Sequence, residues 1–92
     1  MSDKSLKELI EVFSAVKEPK LMESFLRNIL TPAELDEIAK RLQIFKMLHK
    51  GVPQRMVAKK LGVSIGTISR GSRELKYGEK GIAKVLDNFL GI

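Results

Sequence analysis

The stretch QRMVAKKLGVSIGTISRGS, Gln54 to Ser72, most constrains what this chain can fold into. Val57, Leu61, Val63 and Ile68 are apolar at positions that would seal two short helices against each other. Ala58 is small where the two helix axes have to approach closely. Gly62 follows four residues later, in the turn, where a left-handed backbone is expected and a Cβ would be costly. Ser64 can cap the second helix, its side-chain oxygen accepting from a backbone N–H one turn in. Small residue, glycine turn and buried branched aliphatic at these offsets form the pattern of a DNA-binding helix-turn-helix. A plain helical hairpin is the competing reading. The second helix would present Ile65, Gly66, Ser69 and Arg70 near its start, where base edges are read.

Charge favours the DNA-binding reading. The chain carries a net charge of +6, and residues 51–76 account for +5 of it. There Arg55, Lys59, Lys60, Arg70, Arg73 and Lys76 stand against Glu74 alone. Residues 1–30 and 77–92 are each balanced. A charge run is ordinarily a solvated face, but this one coincides with an independent structural motif, and together they point to a polyanion partner. Gln54, Arg55, Lys59, Lys60, Ser64, Ile65, Gly66, Ser69, Arg73 and Lys76 are the expected DNA-contacting residues.

The rest of the chain extends the helical pattern on both sides. Residues 3–17 place Leu6, Leu9, Ile10, Phe13 and Val16 on one apolar stripe, which Pro19 should end. Residues 20–30 repeat it with Leu21, Met22, Phe25, Leu26, Ile29 and Leu30. Both stripes are wide for helices of a 92-residue domain and suit cover by a second chain. Thr31 and Glu34 have the spacing of a capping box, and Pro32 falls at the first helical position. The helix they open should run through Leu35, Ile38, Leu42, Phe45 and Leu48 to about Lys50. Gly51 should stop it, and Pro53 should open the next. The second helix of the motif should reach Lys76, with Tyr77-Gly78 as its break, and a last helix should span about 80–90. No segment alternates as a strand does. The expected fold is all-α, about six helices in a single domain: dimerisation helices over 1–30, a long central helix over 31–51, the helix-turn-helix over 53–76 and a C-terminal helix over 80–90.

Several function classes have little to work with. The chain has no cysteine and one histidine, His49, so neither a thiolate nor a histidine-rich metal site is expected. Acid–base or nucleophilic catalysis has few candidates, and no enzyme activity is expected. No apolar run approaches membrane-spanning length, and the opening MSDKSLKELI lacks a secretory pattern, so the expected location is cytoplasmic.

The long capped helix from Thr31, the arginine at 41, the helix-turn-helix, and above all ISRGS followed by Leu75-Lys76 resemble the tryptophan operon repressor family. The resemblance covers about residues 20–90. It implies an intertwined, all-helical homodimer that binds double-stranded operator DNA as a transcriptional repressor of tryptophan biosynthesis or transport genes, with L-tryptophan as corepressor. It also implies that the indole lies between Arg41 and Arg70, that Thr31 contacts the carboxylate, and that Gly71 leaves room for the ring. A guanidinium plane suits such a site because it stacks on an aromatic face and pairs with a carboxylate. Taken alone, Arg41 would be a surface partner of Glu37 or Glu34.

Glu74 departs from the pattern, standing where well-known members have a serine near the ligand's amino group. Its carboxylate would pair with a bound ligand's ammonium, or otherwise with Arg70 or Arg41. Small and apolar groups at Ile65, Gly66 and Ser69 allow few bidentate base contacts, so water-mediated and shape readout should carry specificity. The tryptophan repressor is itself the standard example of water-mediated readout, so this expectation comes from the resemblance. Two alternatives stand beside the repressor: a related DNA-binding regulator that does not use tryptophan, and an RNA-binding or protein-interaction helical module.

Overall fold

The computed structural model describes residues 3–91, and all its regular elements there are helical. Six helices follow in order: α1 (Asp3–Ala15), α2 (Pro19–Ile29), α3 (Pro32–His49), α4 (Gln54–Leu61), α5 (Ile65–Tyr77) and α6 (Gly81–Phe89). The all-α class, the count of six and the helix-turn-helix agree with the sequence pattern. The chain divides into two compact units, Met1–Leu35 and Asp36–Ile92.

In the N-terminal unit, α1 and α2 meet through Phe13 and Phe25, whose rings sit edge to face with centroids 5.3 Å apart. Neither helix has a fully buried residue. Leu6, Ile10, Leu21 and Ile29 are exposed and the remaining stripe residues are half-buried, so the broad stripes are only partly covered within one chain. Pro19 has a different place from the one its sequence context predicts. Helix α1 already ends at Ala15, and Pro19 is the first residue of α2. The reason is local: proline forces Glu18 into an extended conformation (φ −83°, ψ 122°) and needs no N–H at the first helical position. The start of α3 has the expected capping box. Thr31 N–H donates to Glu34 Oε1 at 2.8 Å, and Glu34 N–H donates to Thr31 Oγ1 at 3.1 Å. Thr31 holds the Glu34 carboxyl below its ordinary range, chiefly through its backbone N–H and then through its hydroxyl, because a donor to the carboxylate favours the charged form.

The C-terminal unit is built around Ile44, Val57 and Ile68, one residue each from α3, α4 and α5. Val57 and Ile68 have no exposed surface, and Met47, Leu48, Val52, Ala58, Leu61 and Val63 pack around them. Two glycines in the left-handed region make the turns. Gly51 (φ 90°) follows α3, and Val52 N–H reaches back to Met47 O at 3.0 Å. Gly62 (φ 65°) follows α4, and Val63 N–H reaches back to Ala58 O at 3.1 Å. Both are six-to-one closures that satisfy carbonyls left open at a helix end. Pro53 lies one residue outside α4, at its N-cap, where its carbonyl accepts from Met56 and Val57. Far along the chain, His49 Nε2 and Asp87 Oδ1 lie 2.8 Å apart and tie the end of α3 to α6. Leu86, on the same turn of α6, is fully buried.

Candidate nucleic-acid interface and ligand cleft

Helices α4 and α5 are joined by the three-residue turn 62–64. Ser64 caps α5 as its position predicts: its Oγ accepts from Thr67 N–H at 3.2 Å and lies 2.9 Å from Thr67 Oγ1. Burial of Ile68 and Val57 seats α5 on α4, and this leaves the opposite side of α5 free. Ile65, Gly66 and Ser69 are exposed there, Ile65 at 49% of its surface. An added Cβ at Gly66 would meet nothing closer than Ser64 Oγ at 3.9 Å, so the backbone at this point is open to close approach. Ser69 Oγ donates to Gln54 Oε1 at 3.0 Å, linking the first residue of α4 to the middle of α5. That bond orients Gln54 and leaves its amide donors available.

Arg55, Lys59, Lys60, Arg73 and Lys76 are all exposed. Among the described residues none of them is within ion-pair distance of a carboxylate. The acids that do form pairs, Glu23, Asp36, Glu37 and Asp87, all lie outside the helix-turn-helix. The motif therefore keeps its positive charge uncompensated, which suits phosphate contact and long-range attraction of a polyanion.

A cleft of about 760 Å³ opens in the same unit. Its α3 wall is Glu37, Arg41, Ile44 and Phe45, and its α5 wall is Thr67, Arg70, Gly71 and Glu74. Glu79 and Ile82 close it from the turn after α5 and from α6. This size lies within the common range for small-ligand sites, about 300–1,000 Å³. Four of the five residues expected to hold a ligand thus share one cavity. Thr31 belongs to the other compact unit, where its hydroxyl caps α3. Arg41 Nη2 donates to Glu37 Oε1 at 2.8 Å, the pairing that its helix position alone would give.

Gly71 has a packing reason of its own. A Cβ there would stand 3.1 Å from Ile44 Cγ2 and 3.6 Å from Leu48 Cδ1, so the missing side chain lets α5 lie close to α3. Glu74 pairs with neither Arg70 nor Arg41. Its Oε2 accepts from Glu79 N–H at 3.2 Å, and a Cβ at Gly78 would collide with this folded-back carboxylate. The Glu79 N–H beyond the end of α5 is a nearer donor than either guanidinium, and Gly78 makes the room. Glu37, Ile44, Phe45, Thr67, Glu79 and Ile82 also line the cleft and were not among the expected site residues. Glu37 has a local signal, four residues before Arg41, but Glu79 and Ile82 come from an element with no motif of its own.

The family model for the Trp repressor protein matches residues 4–90. A Trp operon repressor homolog of Vibrio atlanticus is 40% identical over 70 residues, covering 75% of this chain and 71% of that protein. A Trp operon repressor homolog of Actinobacillus succinogenes is 48% identical over 64 residues, 68% of this chain and 62% of that protein. The uncharacterized protein YerC of Bacillus subtilis is 32% identical over 84 residues, 88% of this chain and 81% of that protein. No solved structure matches the chain. With a match over nearly its whole length, and with the helix-turn-helix and adjoining cleft in place, the chain belongs to the Trp repressor protein family.

Proposed function

We propose that this protein is a sequence-specific, DNA-binding transcriptional repressor that acts as a homodimer in the cytoplasm. Its α4–α5 unit enters the major groove, with Ile65, Gly66 and Ser69 toward the bases and Arg55, Lys59, Lys60, Arg73 and Lys76 toward phosphates. Residues 1–30 supply the dimerisation surface, which is where the uncovered apolar side chains of α1 and α2 lie. Two recognition helices in such a dimer stand about one DNA turn apart, roughly 34 Å. L-Tryptophan occupies the cleft and raises operator affinity at tryptophan biosynthesis or transport genes.

The observation that carries this reading is that one helix serves both surfaces. Helix α5 presents Ile65 and Ser69 outward and contributes Arg70 and Gly71 to the cleft. A ligand between α3 and α5 therefore bears on the angle at which α5 meets DNA. A tenfold gain in DNA affinity requires about 1.4 kcal/mol of differential binding, which a stacked indole with a paired carboxylate can supply. The test is selection of a binding site from random double-stranded DNA, followed by titration with and without millimolar L-tryptophan. Tighter binding with tryptophan supports the reading, and equal binding replaces it with the second one.

That second reading is a regulator of the same architecture that does not use tryptophan. It is favoured by the Glu37–Arg41 pair, which a ligand stacking on Arg41 has to accommodate. Preference for single-stranded RNA over any duplex DNA would exclude both readings.

A further inference from the structure

The cleft carries more acid than base. Arg41 and Arg70 share it with three carboxylates, Glu37, Glu74 and Glu79. Glu37 and Arg41 neutralise each other at 2.8 Å. What remains is Arg70 against Glu74 and Glu79. Arg70 and Glu74 stand four apart on α5, a spacing at which opposite charges commonly pair, yet Glu74 turns instead to Glu79 N–H. That bond places the Glu74 carboxylate at the turn that also carries Glu79. Among the described residues no lysine, arginine or histidine is within ion-pair distance of either carboxylate. Ile44, Phe45 and Ile82 contribute apolar side chains to the same lining.

We infer that Glu79 acts with Glu74 to bind a ligand's ammonium, and that the cleft selects aromatic primary amines for which a carboxylate is dispensable. The inference rests on the cleft's being the ligand site proposed above, and adds to it a residue and a ligand class. The reason is charge balance. A monocation cancels the surplus negative charge of the lining. A zwitterion brings one charge of each sign and leaves the surplus as it was. An aromatic acid without an amine adds to it and has only Arg70 to meet.

Three probes share the indole and differ in charge: tryptamine lacks the carboxylate of L-tryptophan, and indole-3-propionate lacks its amine. Calorimetric titration of the full chain with each should find tryptamine binding within about threefold of L-tryptophan or tighter, and indole-3-propionate at least about tenfold weaker. Glu79→Gln should weaken both amines about three- to tenfold and leave indole-3-propionate unchanged or tighter. It removes only side-chain charge, since Glu74 is held by the backbone N–H of residue 79. An unchanged melting curve for the variant excludes a folding defect. If L-tryptophan and indole-3-propionate bind while tryptamine does not, or if Glu79→Gln leaves amine binding unchanged, the inference is wrong and the cleft reading survives. If none of the three binds, both are overturned.

Discussion

Replacing Lys76 by alanine should change how DNA binding responds to salt far more than it changes the fold. Lys76 lies in the last turn of α5, where a cation also suits the helix dipole, and its side chain is exposed. Among the described residues it has no carboxylate partner, so its removal strands no buried or paired charge there. Each phosphate contact adds about 0.9 to the slope of log affinity against log salt. A homodimer loses the contact in both halves, so the slope should fall by about 1.8. Between about 50 and 200 mM salt that difference is worth roughly twelvefold in relative affinity. Fluorescence anisotropy with a labelled duplex, repeated across that range, measures the slope directly. Arg55→Ala should behave alike. Arg27→Ala is the control, because Arg27 is paired with Glu23 on α2 at 3.0 Å and lies outside the motif. If Lys76→Ala and Arg55→Ala both keep the parental slope, the α4–α5 face is not where the phosphates lie.

Three further outcomes follow from the same geometry. Ser64→Ala should cost about 1 kcal/mol by leaving the first turn of α5 uncapped, lowering the melting midpoint by about 4–8 °C; a midpoint unchanged in calorimetry would deny the cap a role. The Glu34 carboxyl is held low by Thr31, so it contributes stability that is present above its ordinary unfolded value, about 4.3, and is lost as pH falls through the lower folded value. Glu34→Gln keeps a capping partner without the charge, so denaturant titrations should show a shallower loss of stability below pH about 4.3 than in the parent. Gly71→Ala sets an overpacking cost of about 1–3 kcal/mol at Ile44 against a helix-propensity gain of about 1 kcal/mol. It should therefore lower stability by at most about 2 kcal/mol while abolishing ligand binding measured by calorimetry, and retained binding would place the ligand away from the α3–α5 wall.

What was legible in the sequence was local. Gly62, Ser64, Gly51 and the Thr31–Glu34 box each act over six residues or fewer, and each adopts the conformation that its type and position demand. The spacing of Val57, Leu61, Val63 and Ile68 likewise encodes which faces of α4 and α5 meet. The cleft was legible only where a residue lies on a patterned helix, as Arg41, Arg70 and Gly71 do. Glu79 and Ile82 reach it through the turn after α5, whose course depends on Gly78 and on the Glu74 carboxylate together. No short-range rule couples a helix residue to a loop N–H five positions on. The His49–Asp87 contact joins residues 38 apart and has no periodic signature at all. Pro19 shows the opposite limit: proline marks the end of one helix and the start of the next equally well, and here it opens α2.

The packing of α5 constrains how a ligand can act. Ile68 is fully enclosed in a core shared with Val57 of α4 and Ile44 of α3, so α5 cannot shift far against either helix without opening that core. At Gly71 it also approaches α3 backbone to side chain, with Ile44 and Leu48 as the neighbours. Under the proposed function, a ligand between α3 and α5 would work on that shared core, and so would bear on α4 as well as on α5. The Gln54–Ser69 bond, which joins α4 to α5, lies outside the cleft lining. Since linkage is reciprocal, whatever factor such a ligand adds to DNA affinity, DNA adds to ligand affinity.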